Sequence, residues 1–173
     1  MIHLPYIFLL LFISIFWELF FGSYGIIIPF AAIIIFYLSM IYNLKIGIIL
    51  ALIVGFLLDL LYGRTLYISP ITLSLISLFS IFWLHKGVVK SIHLQMLPGS
   101  IIAFIYTFPI LVVNYFLYEG GFLIFSINIL ILLSAIILGA VLLPITIFLL
   151  DSINTKLKFD LYINSKKRLA ESR

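Results

Sequence analysis

Gly55-Phe56-Leu57-Leu58-Asp59-Leu60-Leu61-Tyr62-Gly63-Arg64-Thr65-Leu66-Tyr67-Ile68-Ser69-Pro70 is the stretch on which the reading of this chain turns. It starts inside one long apolar segment, ends inside the next, and carries a carboxylate deep in hydrophobic sequence. On a helix, Gly55, Asp59 and Gly63 are four apart and share a face. Glycines at that spacing let a neighbouring backbone approach. The acid between them is costly in lipid, so it is expected to face protein. Arg64 follows within reach and is its natural partner.

The surrounding composition fixes the solvent. Of 173 residues, 65% are hydrophobic and 9% charged, more apolar side chain than a water-soluble domain of this size could hide. The chain reads as a one-domain, all-α membrane protein in contact with the lipid bilayer. With no cysteine, disulfides and thiolate metal sites are excluded.

At about 20 apolar residues per crossing, six transmembrane helices are expected at about 4–21, 26–42, 46–62, 66–84, 98–118 and 122–150. Residues 1–150 then form the polytopic membrane domain and 151–173 a basic, solvated tail. Leu4–Phe21 is kept as a span rather than a secretory leader, because it has no basic n-region and no small-residue cleavage site. Pro29 and Pro70 fall in first turns, where proline is tolerated. The polar interval His85–Gln95 suits a short interfacial helix, and Glu119-Gly120-Gly121 is a turn. The last span, at 29 residues, must tilt, kink near Gly139 or Pro144, or begin with an interfacial piece.

Charge sets orientation. With six spans both termini share a side, and nine of the ten basic residues fall there; Arg64 alone falls on the other. The positive-inside rule then makes both termini cytoplasmic. No internal repeat stands out.

Candidate chemistry is sparse. Asp59 reads as a proton carrier, an ion ligand or half of a structural ion pair. A relay lacks further acids toward the inner side, and aspartyl hydrolysis needs a second nearby carboxylate, whereas Asp151 belongs to the opposite face. His85 and His93 lack further metal ligands. No phosphate loop, Gly-x-Gly-x-x-Gly or Gly-x-Ser-x-Gly occurs. No catalytic, cofactor-binding or metal residues are assigned and no enzyme activity is expected, nor is a nucleic-acid partner, since no aromatic-interleaved basic patch lies outside the tail. Gly47, Ala51 and Gly55 extend the small-residue stripe to Asp59 and Gly63, which places a tightly packed centre, or a docked partner helix, at the third span. Asn114 and Asn128 are amides within apolar segments, read as hydrogen-bonding glue or cavity lining. Gly55, Asp59, Gly63 and Arg64 are thus the candidate site, partner-binding or structural.

Gly55-x-x-x-Asp59-Leu60-Leu61-x-Gly63 at the end of the third span, followed by Leu66, resembles the bacterial rod shape-determining protein MreD family. Gln95, Leu142-Leu143-Pro144 and Leu149-Leu150-Asp151 look similar as well; Thr65-Leu66-Tyr67 stand where the family often has Pro-Leu-Gly. The resemblance implies a fold similar to the six-helix substrate-binding subunits of energy-coupling-factor transporters. It implies a non-enzymatic inner-membrane scaffold of the cell-elongation machinery, which binds the single-span MreC and couples the actin-like MreB to peptidoglycan synthases. The alternative is a small-molecule-binding subunit of a vitamin-type transporter, with Arg64, Tyr67, Asn114 and Asn128 as polar contacts.

Overall fold

The computed structural model describes residues 3–86, 92–117, 121–157, 159 and 162. It is all-helical: α1 His3–Gly22, α2 Phe30–Ile41, α3 Leu44–Leu61, α4 Ser69–Lys86, α5 Ile92–Leu117 and α6 Phe122–Leu157. Four of them, α1, α3, α5 and α6, are long and apolar enough to cross a membrane; α2 and α4 are shorter apolar helices.

Prolines set the two late starts. α2 begins at Phe30, not Ile26, because Pro29 sits at its N-cap and holds Ile28 out of the helical region. α4 likewise begins at Ser69, the residue before Pro70, rather than at Leu66. The separate interfacial helix expected over 85–95 is not found: Ile92–Met96 already belong to α5, with Pro98 and Pro109 inside it, and 87–91 lie outside the described residues. The turn expected at Glu119-Gly120 also lies outside them. α6 continues through Pro144 and past Leu150 to Leu157, 36 residues in all. At about 1.5 Å per residue it is roughly 54 Å long, well beyond a ~30 Å hydrocarbon core.

The packed centre is α2, not the third helix. Every residue from Ala31 to Ile41 is buried, and α2 touches each of the other five helices. A helix apolar all round is stable only when apolar material surrounds it; here that material is protein, with Phe36, Tyr37, Leu38 and Ile33 among the most enclosed side chains. α3 covers one flank with its small-residue stripe. A side chain at Gly47 would strike Ser39 of α2, and one at Gly55 would strike the backbone of Ser69 and Pro70. α5 and α6 form a second hairpin that closes at Gly99 and Gly139, where a Cβ on Gly139 would stand 2.7 Å from the Gly99 carbonyl. Gly139 is therefore a point of backbone contact, and α6 is unbroken there.

The outward faces are apolar. On α1, Leu4, Phe8, Phe12, Phe16 and Phe20 recur every fourth residue and are all exposed, and on α3 Ile49, Ile53, Phe56 and Leu60, three or four apart, are exposed as well. Such a surface suits lipid, and the helices are compatible with a multi-pass membrane protein.

The start of α1 and the segment just beyond α6 meet at one end of the bundle. Tyr6 near the start of α1 meets Phe159 beyond α6, with ring centroids 5.4 Å apart. There Asp151 accepts from the Tyr37 hydroxyl at 2.8 Å and the Tyr162 amide at 2.9 Å, and Asn154 donates to the Tyr37 oxygen at 2.9 Å. Tyr162 is 0% exposed, stacked on Tyr37 at 6.2 Å, and burial pushes its phenol above the ordinary value. The tail is thus not solvated from residue 151 onward: α6 extends seven residues into it and Tyr162 returns to the core. Its cluster Lys166, Lys167, Arg168 and Arg173 lies outside the described residues.

Candidate functional site

At the opposite end of the bundle, the α3–α4 turn is built from the motif residues. Gly63 has φ +64°, a conformation open to glycine without strain. It ends α3 in a Schellman motif: the Gly63 amide donates to the Leu60 carbonyl at 3.1 Å and the Arg64 amide to the Asp59 carbonyl at 2.9 Å. That reversal brings Arg64 back over the last turn of α3. Its Nη1 donates to Asp59 Oδ1 at 3.0 Å and to Ser69 Oγ at 2.9 Å.

Asp59 is 0% exposed and fully engaged. Besides Arg64, it accepts from the Ser69 hydroxyl at 2.6 Å and, through Oδ2, from the Ser69 amide at 2.9 Å. The last contact satisfies an otherwise orphaned donor at the start of α4 and sets a negative charge at the positive end of its dipole. Gly55, one turn earlier, lets the Ser69–Pro70 backbone come near enough for these bonds. The structure therefore brings Gly55, Asp59, Gly63 and Arg64 together, all within contacts of this chain, and Asp59 pairs with Arg64.

A second buried acid does the same work one hairpin earlier. Glu18 of α1 is 2% exposed. Its Oε2 accepts from the Ala31 amide, in the first turn of α2, at 2.9 Å, and its Oε1 accepts from the Tyr106 hydroxyl. α1 also ends in a Schellman motif, with Gly25 at φ +76° and the Ile26 amide donating to the Phe21 carbonyl at 3.1 Å. Glu18 and Asp59 are 59 − 18 = 41 residues apart, and Pro29 and Pro70 are 70 − 29 = 41 apart. The α1–α2 and α3–α4 pairs are thus one device used twice: an acid in the last turns of one helix caps the next helix across a glycine reversal and a proline. This corrects the reading of the chain as free of repeats. The apolar residues between the fixed points differ so much that only acid-to-proline spacing carries the signal.

Tyr62 joins the two devices. Its hydroxyl donates to the Glu18 carbonyl at 3.0 Å, its ring packs on Gly22, and the Arg64 guanidinium lies over it at 4.4 Å. Beside this assembly a cleft of about 300 Å³ opens between the turn residues Tyr62–Leu66 and the end of α5, where Ile110, Val113, Asn114 and Leu117 form the far wall. Asn128 lies elsewhere, in an apolar groove of about 210 Å³ between α5 and α6. His85 Nδ1 lies 2.8 Å from the Ile81 carbonyl of its own helix. Among the described residues no three His, Asp or Glu side chains gather as metal ligands. Sequence reasoning missed Glu18 as a partner of α2, and with it Tyr106; it also missed the hub at Asp151.

The chain matches no family model, no curated protein and no solved structure.

Proposed function

We propose that this protein is a non-enzymatic scaffold of a bacterial inner membrane, acting in cell elongation as the MreD family does. The observation that carries the reading is the use made of Asp59: the acid of the Gly55–Gly63 motif is enclosed and spent on fastening α4 to α3. A carboxylate so engaged suits a rigid support and leaves little capacity for proton transfer. Rigid helices with long apolar outer faces suit the lateral docking of a single-span partner such as MreC, and through it MreB-like filaments and cell-wall synthases.

In this reading all six helices cross, in an arrangement similar to energy-coupling-factor substrate-binding subunits. α2 crosses inside a protein sleeve: twelve helical residues and the four leading residues Ile26–Pro29 reach about 31 Å at ~1.5 and ~3.3 Å per residue. Both termini are cytoplasmic. The meeting of Tyr6 with Phe159 supports a shared side, and Lys45 at the start of α3 and Lys156 at the end of α6 give that side its positive charge.

The test is affinity capture of the tagged chain from crosslinked native membranes, with depletion in the same strain. Recovery of a single-span partner and rounding of the cells are expected. Rods that persist after depletion, with no such partner recovered, refute the proposal. The second reading, a vitamin-type transporter subunit, is favoured only by the cleft beside Arg64 and Asn114; it calls for an organic ligand that stays bound through purification.

A further inference from the structure

The cleft beside Arg64 has polar capacity that the fold leaves unused. Of the guanidinium nitrogens only Nη1 is engaged; Nε and Nη2 make no hydrogen bond among the described residues. The Asn114 amide on the opposite wall makes none, and neither does the Thr65 hydroxyl. Arg64 and Asn114 are only partly buried, so these unused donors are open to a molecule that enters the cleft.

The character of this capacity is one-sided. Among the described residues, the two carboxylates near this end, Glu18 and Asp59, do not line the cleft, and both are occupied by internal donors; Glu119, two residues beyond Leu117, lies outside the described residues. The polar side chains among its lining residues are Arg64, Thr65 and Asn114, which between them hold an unbonded guanidinium edge, a hydroxyl and an amide. Arg64 is 20% exposed and held in place from behind by Asp59 and Ser69 and from one face by the Tyr62 ring. A guanidinium fixed in this way presents its free edge without further loss of side-chain freedom, and that edge matches the oxygens of a phosphate. The rest of the lining is largely apolar, and two of its residues, Leu66 and Leu117, are exposed. Polar groups set in a largely apolar lining, at the level where helices end, fit a molecule with a phosphate and an acyl portion.

We infer that the cleft between the α3–α4 turn and the end of α5 binds a phosphate group, held by the free edge of Arg64 with Asn114 and Thr65, as the headgroup of an anionic phospholipid or as a soluble phosphate. The inference stands apart from the scaffold reading, because it concerns the isolated chain.

Native mass spectrometry of the detergent-purified protein tests it, with phosphatidylglycerol, diacylglycerol of the same chains and inorganic phosphate as probes. One phosphatidylglycerol is expected to bind at least tenfold more tightly than diacylglycerol. Asn114→Leu, which removes a side chain with no internal bond, is expected to weaken it about tenfold. Arg64→Lys keeps the charge that Asp59 needs but loses the fork, and is expected to do the same with the melting temperature retained. Displacement of the lipid by millimolar inorganic phosphate, or binding of phosphate with no lipid, supports the site and assigns it to a soluble ligand. Equal binding of phosphatidylglycerol and diacylglycerol with no binding of inorganic phosphate, or wild-type binding by both variants, overturns it, as does a retained organic ligand that lacks phosphate.

Discussion

Replacing Asp59 with asparagine separates a structural tie from a space-filling role. The two side chains have the same shape, but the amide has one acceptor where the carboxylate has two. Asp59 Oδ1 serves Arg64 Nη1 and the Ser69 hydroxyl; Oδ2 serves the Ser69 amide. If the new NH₂ takes the Oδ2 position it confronts the Ser69 N–H. If it takes the Oδ1 position it confronts the guanidinium. The Ser69 hydroxyl can rotate to accept, but the other two groups are donors only, so neither orientation satisfies the site. The change removes a charge-assisted bond, worth about 1.5–3 kcal/mol, and strands a buried donor at about 1–3 kcal/mol. Arg64 is partly exposed, so water recovers some of its loss. The net expectation is about 3 kcal/mol. At roughly 2–4 °C per kcal/mol for a chain of this size, that is a fall of about 6–12 °C in melting temperature. Thermal challenge in detergent, followed by fluorescence-detected size exclusion, reads it directly. Adding Arg64→Gln is expected to return part of the loss, because the unpaired cation is gone. An Asp59→Asn protein that melts within about 2 °C of wild type would refute the claim that this carboxylate fastens α4 to α3.

Glu18→Gln is the informative contrast: its NH₂ can face the Tyr106 hydroxyl, which turns to accept, while the remaining oxygen keeps the Ala31 amide. The same melting assay should register only about 1 kcal/mol, and a loss equal to that of Asp59→Asn would disprove the reasoning from donor count. The glycines divide in the same way. Gly55→Ala places a methyl against the Ser69–Pro70 backbone, 2.7 Å from the Ser69 carbonyl carbon, which cannot swing aside. It should cost about 1–3 kcal/mol by overpacking and force α3 and α4 apart. Gly63→Ala meets no atom within 4 Å and costs only the left-handed backbone, about 1–2 kcal/mol, so cysteine crosslinking between α3 and α4 should stay at the wild-type level there and fall for Gly55→Ala.

The helical class, an apolar character compatible with lipid and the turns between helices were legible in the sequence alone, but not the helix bounds: α2 and α4 start late, α5 starts early and α6 runs on to Leu157. Apolar content at this level admits lipid as surroundings, and glycine, proline and short polar intervals mark where the chain turns, since backbone geometry is local. The pairing of Asp59 with Arg64 was legible for the same reason: five residues across a glycine turn leave few alternatives. The tertiary structure alone decided which helix is central. α2 and α3 are both apolar, and nothing in a uniformly hydrophobic stretch distinguishes protein-facing from lipid-facing residues, because either neighbour satisfies the same side chains. It also decided that Glu18 caps α2, that Gly99 meets Gly139, and that Tyr162 folds back on Tyr37. Those contacts join residues 13 to 125 positions apart, and their energy comes from a second surface that must first be brought into place.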